Sequence, residues 1–94
     1  MGDNNNIILV GEKLFMAYVS GVVMQFTTLN SEEVIIKARG KFISKAVDIA
    51  EVARKRFLEN KIFVERVLID SEDFKNKEGK QIRVSTIEIY MRKQ

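Results

Sequence analysis

Ninety-four residues, 46% hydrophobic and 31% charged, have the balance of one folded domain rather than of a disordered chain. With no Cys and no His, the chain cannot build a disulfide framework, a thiolate nucleophile or an ordinary zinc, haem or iron–sulfur site, so a domain this small is expected to draw extra stability from self-association. The net charge of +3 identifies no partner by itself, but it is clustered: residues 37–56 hold seven basic side chains against Asp48 and Glu51, which leaves the remainder net acidic.

Residues 1–6 are polar, carry one acid and lack the basic and apolar regions of a secretory signal. They are expected to be disordered, and the protein is expected to be cytoplasmic. Apolar runs are short, four residues at 7–10 for example, against the roughly 20 that cross a bilayer, so no membrane contact is expected. No linker, repeat or proline interrupts residues 1–94, which read as a single domain.

Ile7, Ile8, Leu9 and Val10, stopped by Gly11, read as a short buried strand. Over residues 13–29 the spacing of Leu14, Tyr18, Val22 and Phe26, flanked by Phe15, Val19 and Val23, predicts a helix that Asn30 and Ser31 end. Residues 33–39 alternate, with Val34, Ile36 and Ala38 on one side, as a second strand does. After Gly40, the stripe Ile43, Ala46, Val47, Ala50, Ala53, Phe57 predicts a second amphipathic helix ending near Asn60. Residues 62–74 and 82–92 are period-two runs joined by a polar, basic stretch, which is the pattern of a β-hairpin.

The order βαβαββ predicts an α/β, two-layer fold: a four-stranded mixed sheet with both helices on one face. Right-handed crossovers make the first two strands parallel neighbours or leave one strand between them. At about eleven residues each, against a usual five or six or so, the hairpin strands should run past the sheet, with residues 74–81 as the tip of a projecting arm. Ile62, Val64 and Leu68 alternate onto one hairpin face and Phe63, Val67 and Ile69 onto the other. Helices on one side cannot cover both sets, so a homodimer is expected to cover the second.

The densest chemical signal is Lys37, Arg39, Gly40, Lys41 and Lys45, running from a strand end through a glycine turn into the first turn of a helix, where free backbone N–H groups favour an anion. Cations at a helix N-terminus oppose its dipole, so Lys41 and Lys45 are poorly explained by helix stability, although solvated lysines beside a turn glycine are the plain alternative. The segment lacks the upstream glycine and following hydroxyl of a P-loop. Gly11 and Lys13 occupy a second strand-to-helix turn expected to open on the same edge. Lys75, Lys77, Lys80 and Arg83 against Glu78 make the arm basic, suited to phosphate contacts or merely to solubility. Asp70, Glu72 and Asp73 are close enough in sequence for an acid/base or metal site, but no histidine, cysteine or glycine-rich loop accompanies them, so neither a catalytic site nor a metal is expected.

The segments Val10–Gly11–Glu12–Lys13, Val34 through Lys41, Ile43 through Asp48 and Arg83 through Ile89 resemble the Alba family, in order and across nearly the whole chain. The resemblance implies a fold akin to the C-terminal domain of translation initiation factor three, a homodimer or a heterodimer with a paralogue, and binding to DNA and RNA with little sequence preference, in chromatin compaction or RNA coating on the chromosome. It implies no enzyme activity, cofactor or small-molecule substrate. It places Lys13, Arg39, Lys41 and Lys45 on the nucleic-acid surface, Arg83 at the base of the arm, and Phe57 where dimers meet side by side. Of the two lysines that many members carry after the first glycine, the first, an acetylation target, is Glu12 here, which removes that control, and the usual proline is Leu14. An alternative within the same resemblance is a dedicated RNA-binding subunit of a ribonucleoprotein such as ribonuclease P.

Overall fold

The computed structural model describes residues 6–94, which fold as β1 (Ile7–Leu9), α1 (Phe15–Phe26), β2 (Glu33–Arg39), α2 (Ile43–Val52), β3 (Ile62–Lys75) and β4 (Gln81–Lys93). The four strands form one mixed sheet in the order β1-β2-β4-β3. β1 and β2 are immediate parallel neighbours, and β4 runs antiparallel to both β2 and β3. The crossover through α2 therefore skips one position, which the returning hairpin strand fills. The expected disorder of residues 1–5 lies outside the described residues. Asn6 departs from that expectation, because its side-chain amide donates to the Glu33 carbonyl at 3.0 Å and its own carbonyl accepts the Ile35 N–H at 2.9 Å.

Both helices cover one face. Val34, Ile36 and Ala38 of β2 and Ile87, Ile89 and Met91 of β4 are buried beneath Val19, Val22 and Phe26 of α1 and Ala46, Ile49 and Ala50 of α2. The alternation of β2 thus resolves as its sequence predicts: every second residue enters the core, each larger aliphatic side chain worth about 1.5–3 kcal/mol of burial. β1 differs from its expectation of a buried strand. It forms the sheet edge, and Ile7 and Leu9 face the side that no helix covers, with Leu9 71% exposed. Leu14 also leaves the predicted helical stripe; it is the exposed residue that precedes α1.

Two local irregularities redirect side chains. Beyond Val52 the second helix widens into a π turn over Ala53–Phe57, closed by the Leu58 N–H donating to the Ala53 carbonyl at 3.0 Å. An i→i+5 bond inserts one residue into the turn and shifts the phase of everything after it. Phe57, expected in the core stripe, is 52% exposed, while Leu58 takes the core position at 3%. Val47, also expected inside, is 41% exposed, and Ile49 is buried instead. Leu58→Ala should accordingly cost about 2–5 kcal/mol and Phe57→Ala less than about 1 kcal/mol. Denaturant melts of the two variants rank them, and the reverse ranking would return Phe57 to the core.

The second irregularity is a bulge in β3. Val64 pairs with Met91 but Arg66 pairs with the next β4 residue, Tyr90, so Glu65 is an extra residue and the alternation reverses after it. Ile62, Val64, Val67 and Ile69 consequently lie on the helix side, and Phe63 and Leu68 on the open side. The sequence-based division of the hairpin is thereby corrected. It counted every second residue straight through a position where two residues oppose one. Val67 (48%) and Ile69 (79%) extend along the edge strand beyond the cover of the helices.

Candidate nucleic-acid interface

Because β1 and β2 are parallel, the loops that follow them open side by side at one end of the sheet. The backbone at Gly40 has φ 57°, a left-handed conformation that a Cβ disfavours, and it turns the chain through a 3-10 segment, Gly40–Phe42, into α2. The residues preceding α1 and α2, Leu14 and Phe42, give no side-chain cap, and neither helix has an acid in its first turn. The first turn of α1 and the 3-10 turn that runs into α2, whose Ile43 N–H already donates to the Gly40 carbonyl, thus turn backbone N–H groups toward this end, an arrangement that favours an anion.

The two loops are tied together. Lys41 Nζ lies 3.7 Å from the Glu12 carboxylate. Lys45 Nζ donates to the carbonyls of Gly11 and Lys13, both at 2.7 Å. The Tyr18 hydroxyl accepts the N–H groups of the same two residues, at 2.8 Å and 3.1 Å. The expected adjacency of the Gly11 and Gly40 turns is present, and Lys45 has a structural reason for its position that the sequence does not reveal. Tyr18 itself reads in the sequence as part of an apolar stripe. Only the fold shows that its hydroxyl reaches back to the loop.

The hairpin forms an arm at the same end. Thr86, opposite Arg39, is the last β4 residue paired with β2. β3 and β4 continue together for five further pairs to Lys75 and Gln81, roughly 17 Å of two-stranded ribbon at about 3.4 Å per residue. Its tip is closed by hydrogen bonds: the Asn76 N–H donates to the Lys80 carbonyl and the Gly79 N–H to the Asn76 carbonyl, while the Asn76 side-chain oxygen accepts from the Glu78 and Lys80 N–H groups. Gly79, with φ 82°, supplies the left-handed residue that the turn requires.

At the base of the arm Arg39 pairs with Glu72 at 3.2 Å and stacks over Phe74, 5.8 Å from the ring centre. Lys37, one step back on the same open face, pairs with Glu88 at 3.4 Å. The Tyr90 hydroxyl donates to Glu88 at 2.7 Å, and that bond, assisted by Lys37, holds the carboxyl below its usual range. Arg83 pairs with Asp73 at 2.9 Å.

Apart from Lys45, which is held by the two loop carbonyls, the predicted basic residues divide into two kinds. Lys37, Arg39, Lys41 and Arg83 already face carboxylates, so a phosphate there replaces one anion by another. Lys13, Lys75, Lys77 and Lys80 enter none of the ion pairs formed among the described residues. The three arm acids do not converge. Asp70 and Glu72 share the open face, Glu72 is engaged by Arg39, and Asp73 points to the other side toward Arg83. Phe57 lies at the far end of the second helix, away from both loops.

Residues 6–71 match the Alba family. A relative from Methanococcus maripaludis, named DNA/RNA-binding protein Alba, is 44% identical over 93% of this chain and 97% of its own length. One of the same name from Methanocella arvoryzae is 45% identical over 95% and 91%. The solved structure of Alba from Thermoplasma volcanium superposes with a TM-score of 0.83 at 45% identity, covering 92% of this chain and 98% of that one. A family match over most of the chain, together with relatives of this identity over almost their whole length, establishes that the chain belongs to the Alba family.

Proposed function

We propose that the protein binds double-stranded DNA and RNA through backbone phosphates, without enzymatic action and nearly without regard to sequence, as a dimer that compacts chromosomal DNA or coats RNA. The observation that carries this reading is the convergence, at one end of the fold, of two glycine loops, two helix starts without side-chain caps and a ribbon with a basic tip. Lys13, Lys37, Arg39, Gly40, Lys41, Lys45, Lys75, Lys77, Lys80 and Arg83 all belong to this end or to the arm that leaves it. Phosphate contacts need charge and reach, and a ribbon supplies both without a fitted pocket. The names of the relatives point the same way. Titration of matched duplex DNA, duplex RNA and structured RNA at one salt concentration tests the reading: comparable affinities support it, a strong preference for a structured RNA favours a dedicated ribonucleoprotein subunit, and no binding to any of them overturns it.

The dimer rests on the apolar side chains that the helices leave uncovered on their own side, Val47 of α2 and Val67 and Ile69 on the edge strand β3. A two-fold contact through this surface hides them on both copies and shields a long unpaired strand edge. Phe57 is exposed, which leaves it available for the contact between dimers that the family resemblance implies. Ile69→Lys should turn the dimer into a monomer at micromolar concentration in analytical ultracentrifugation. A dimer of unchanged strength would locate the contact elsewhere.

A further inference from the structure

We infer that Lys45 is a positioning residue: its ammonium latches the Gly11–Lys13 loop onto α2, and its influence on nucleic-acid binding runs through the placement of Lys13 and Lys41 rather than through a phosphate of its own. The inference builds on the nucleic-acid reading above. Of the three N–H donors on Lys45, two are engaged by the Gly11 and Lys13 carbonyls at 2.7 Å. The same ammonium lies 5.1 Å from the centre of the Tyr18 ring and 5.9 Å from that of Phe42. It is therefore surrounded by two carbonyl oxygens and two ring faces, all attractive to a cation.

Tyr18 completes the latch from the other side. Its hydroxyl accepts the N–H groups of Gly11 and Lys13, the two residues whose carbonyls Lys45 holds. Each of those residues thus has both backbone polar groups satisfied by one tyrosine from α1 and one lysine from α2. A cation in the first turn of α2 opposes the helix dipole. Here the two loop carbonyls compensate for it. Lys13 extends from the end of this fixed loop, and Glu12, within it, faces Lys41 at 3.7 Å. Freeing the loop leaves every phosphate-seeking charge but that of Lys45 in the molecule while removing their arrangement. Binding then has to order the loop, which lowers affinity without changing the number of counterions released.

Two variants test the latch, Lys45→Met, which removes the ammonium, and Tyr18→Phe, which removes the hydroxyl and no charge. In the free protein both should accelerate hydrogen exchange at the Gly11 and Lys13 amides. On duplex DNA both should lower affinity by roughly five- to tenfold for each protomer that contacts the duplex, the cost of ordering about one residue of loop, with the wild-type salt slope retained and the double variant little worse than Lys45→Met alone. Lys13→Met, by contrast, should reduce the slope by about 0.9 for each phosphate left unneutralised. A Lys45→Met slope that falls as Lys13→Met does, with Tyr18→Phe binding like wild type, would make Lys45 a direct phosphate ligand and overturn the latch. Unchanged amide exchange in both variants would overturn it as well. If Lys45→Met does not fold, Tyr18→Phe decides alone, by its amides and its affinity. A wild-type protein that binds no duplex defeats the proposed function, while the amide exchange still reports on the latch.

Discussion

Raising the salt from 50 to 200 mM should weaken duplex binding about a thousandfold if a dimer neutralises roughly six phosphates. The loss should be alike for unrelated sequences, because the proposed contacts go to phosphates, which are the same at every base pair. Arg39→Glu or Lys41→Glu should lower affinity at 0.1 M salt by about tenfold for each phosphate left unneutralised, hence up to about a hundredfold in a dimer. Stability should hardly change. Both side chains are exposed, and their pairs with Glu72 and Glu12 are surface ion pairs worth at most about 1 kcal/mol each. Fluorescence anisotropy across a salt series measures all of this. A flat salt response would remove the phosphate-driven reading, and a loss confined to one sequence would indicate base recognition.

Replacing residues 75–81 with an Asn-Gly turn, which the paired residues Phe74 and Ile82 then flank, should preserve the fold and the dimer, because none of these seven residues contributes a core side chain and Asn-Gly suits a two-residue hairpin loop. It removes Lys75, Lys77 and Lys80, the arm lysines that face no carboxylate. Their removal should therefore weaken binding more than removal of Arg83, which exchanges Asp73 for phosphate. With two arms per dimer, affinity should fall by one to two orders of magnitude, about tenfold per phosphate given up at 0.1 M salt, and the salt slope should shrink by up to about 0.9 for each. The hydrogen bonds around Asn76 sharpen the expectation. A tip already closed in the free protein has less conformational freedom to lose on binding than a loose loop. An arm-shortened dimer of unchanged affinity and slope would show that the tip lysines serve only solubility.

Features that are local or strictly periodic were legible in the amino-acid sequence alone. The alternation of Val34, Ile36 and Ala38 defines β2, because a pleated strand sends every second side chain to one face wherever it sits in a protein. The glycines at 11 and 40 mark the turns, the polar run after Phe74 marks the projecting tip, and the segments from Val34 through Asp48 carry the family resemblance. Whatever depends on phase or on distant partners was settled by the packing of the folded chain. The π turn moved Phe57 outward and Leu58 inward, and the bulge at Glu65 put Val67 and Ile69 on the helix side. Each inserts one residue into a repeat that composition does not reveal. The position of β4 between β2 and β3 left β1 at the edge and Leu9 in solvent. Above all, the role of Lys45 follows from carbonyls 34 and 32 residues away and from a tyrosine on the other helix. Its charge is legible in the sequence, but what that charge touches is set only when α1 and α2 pack on the same face of the sheet.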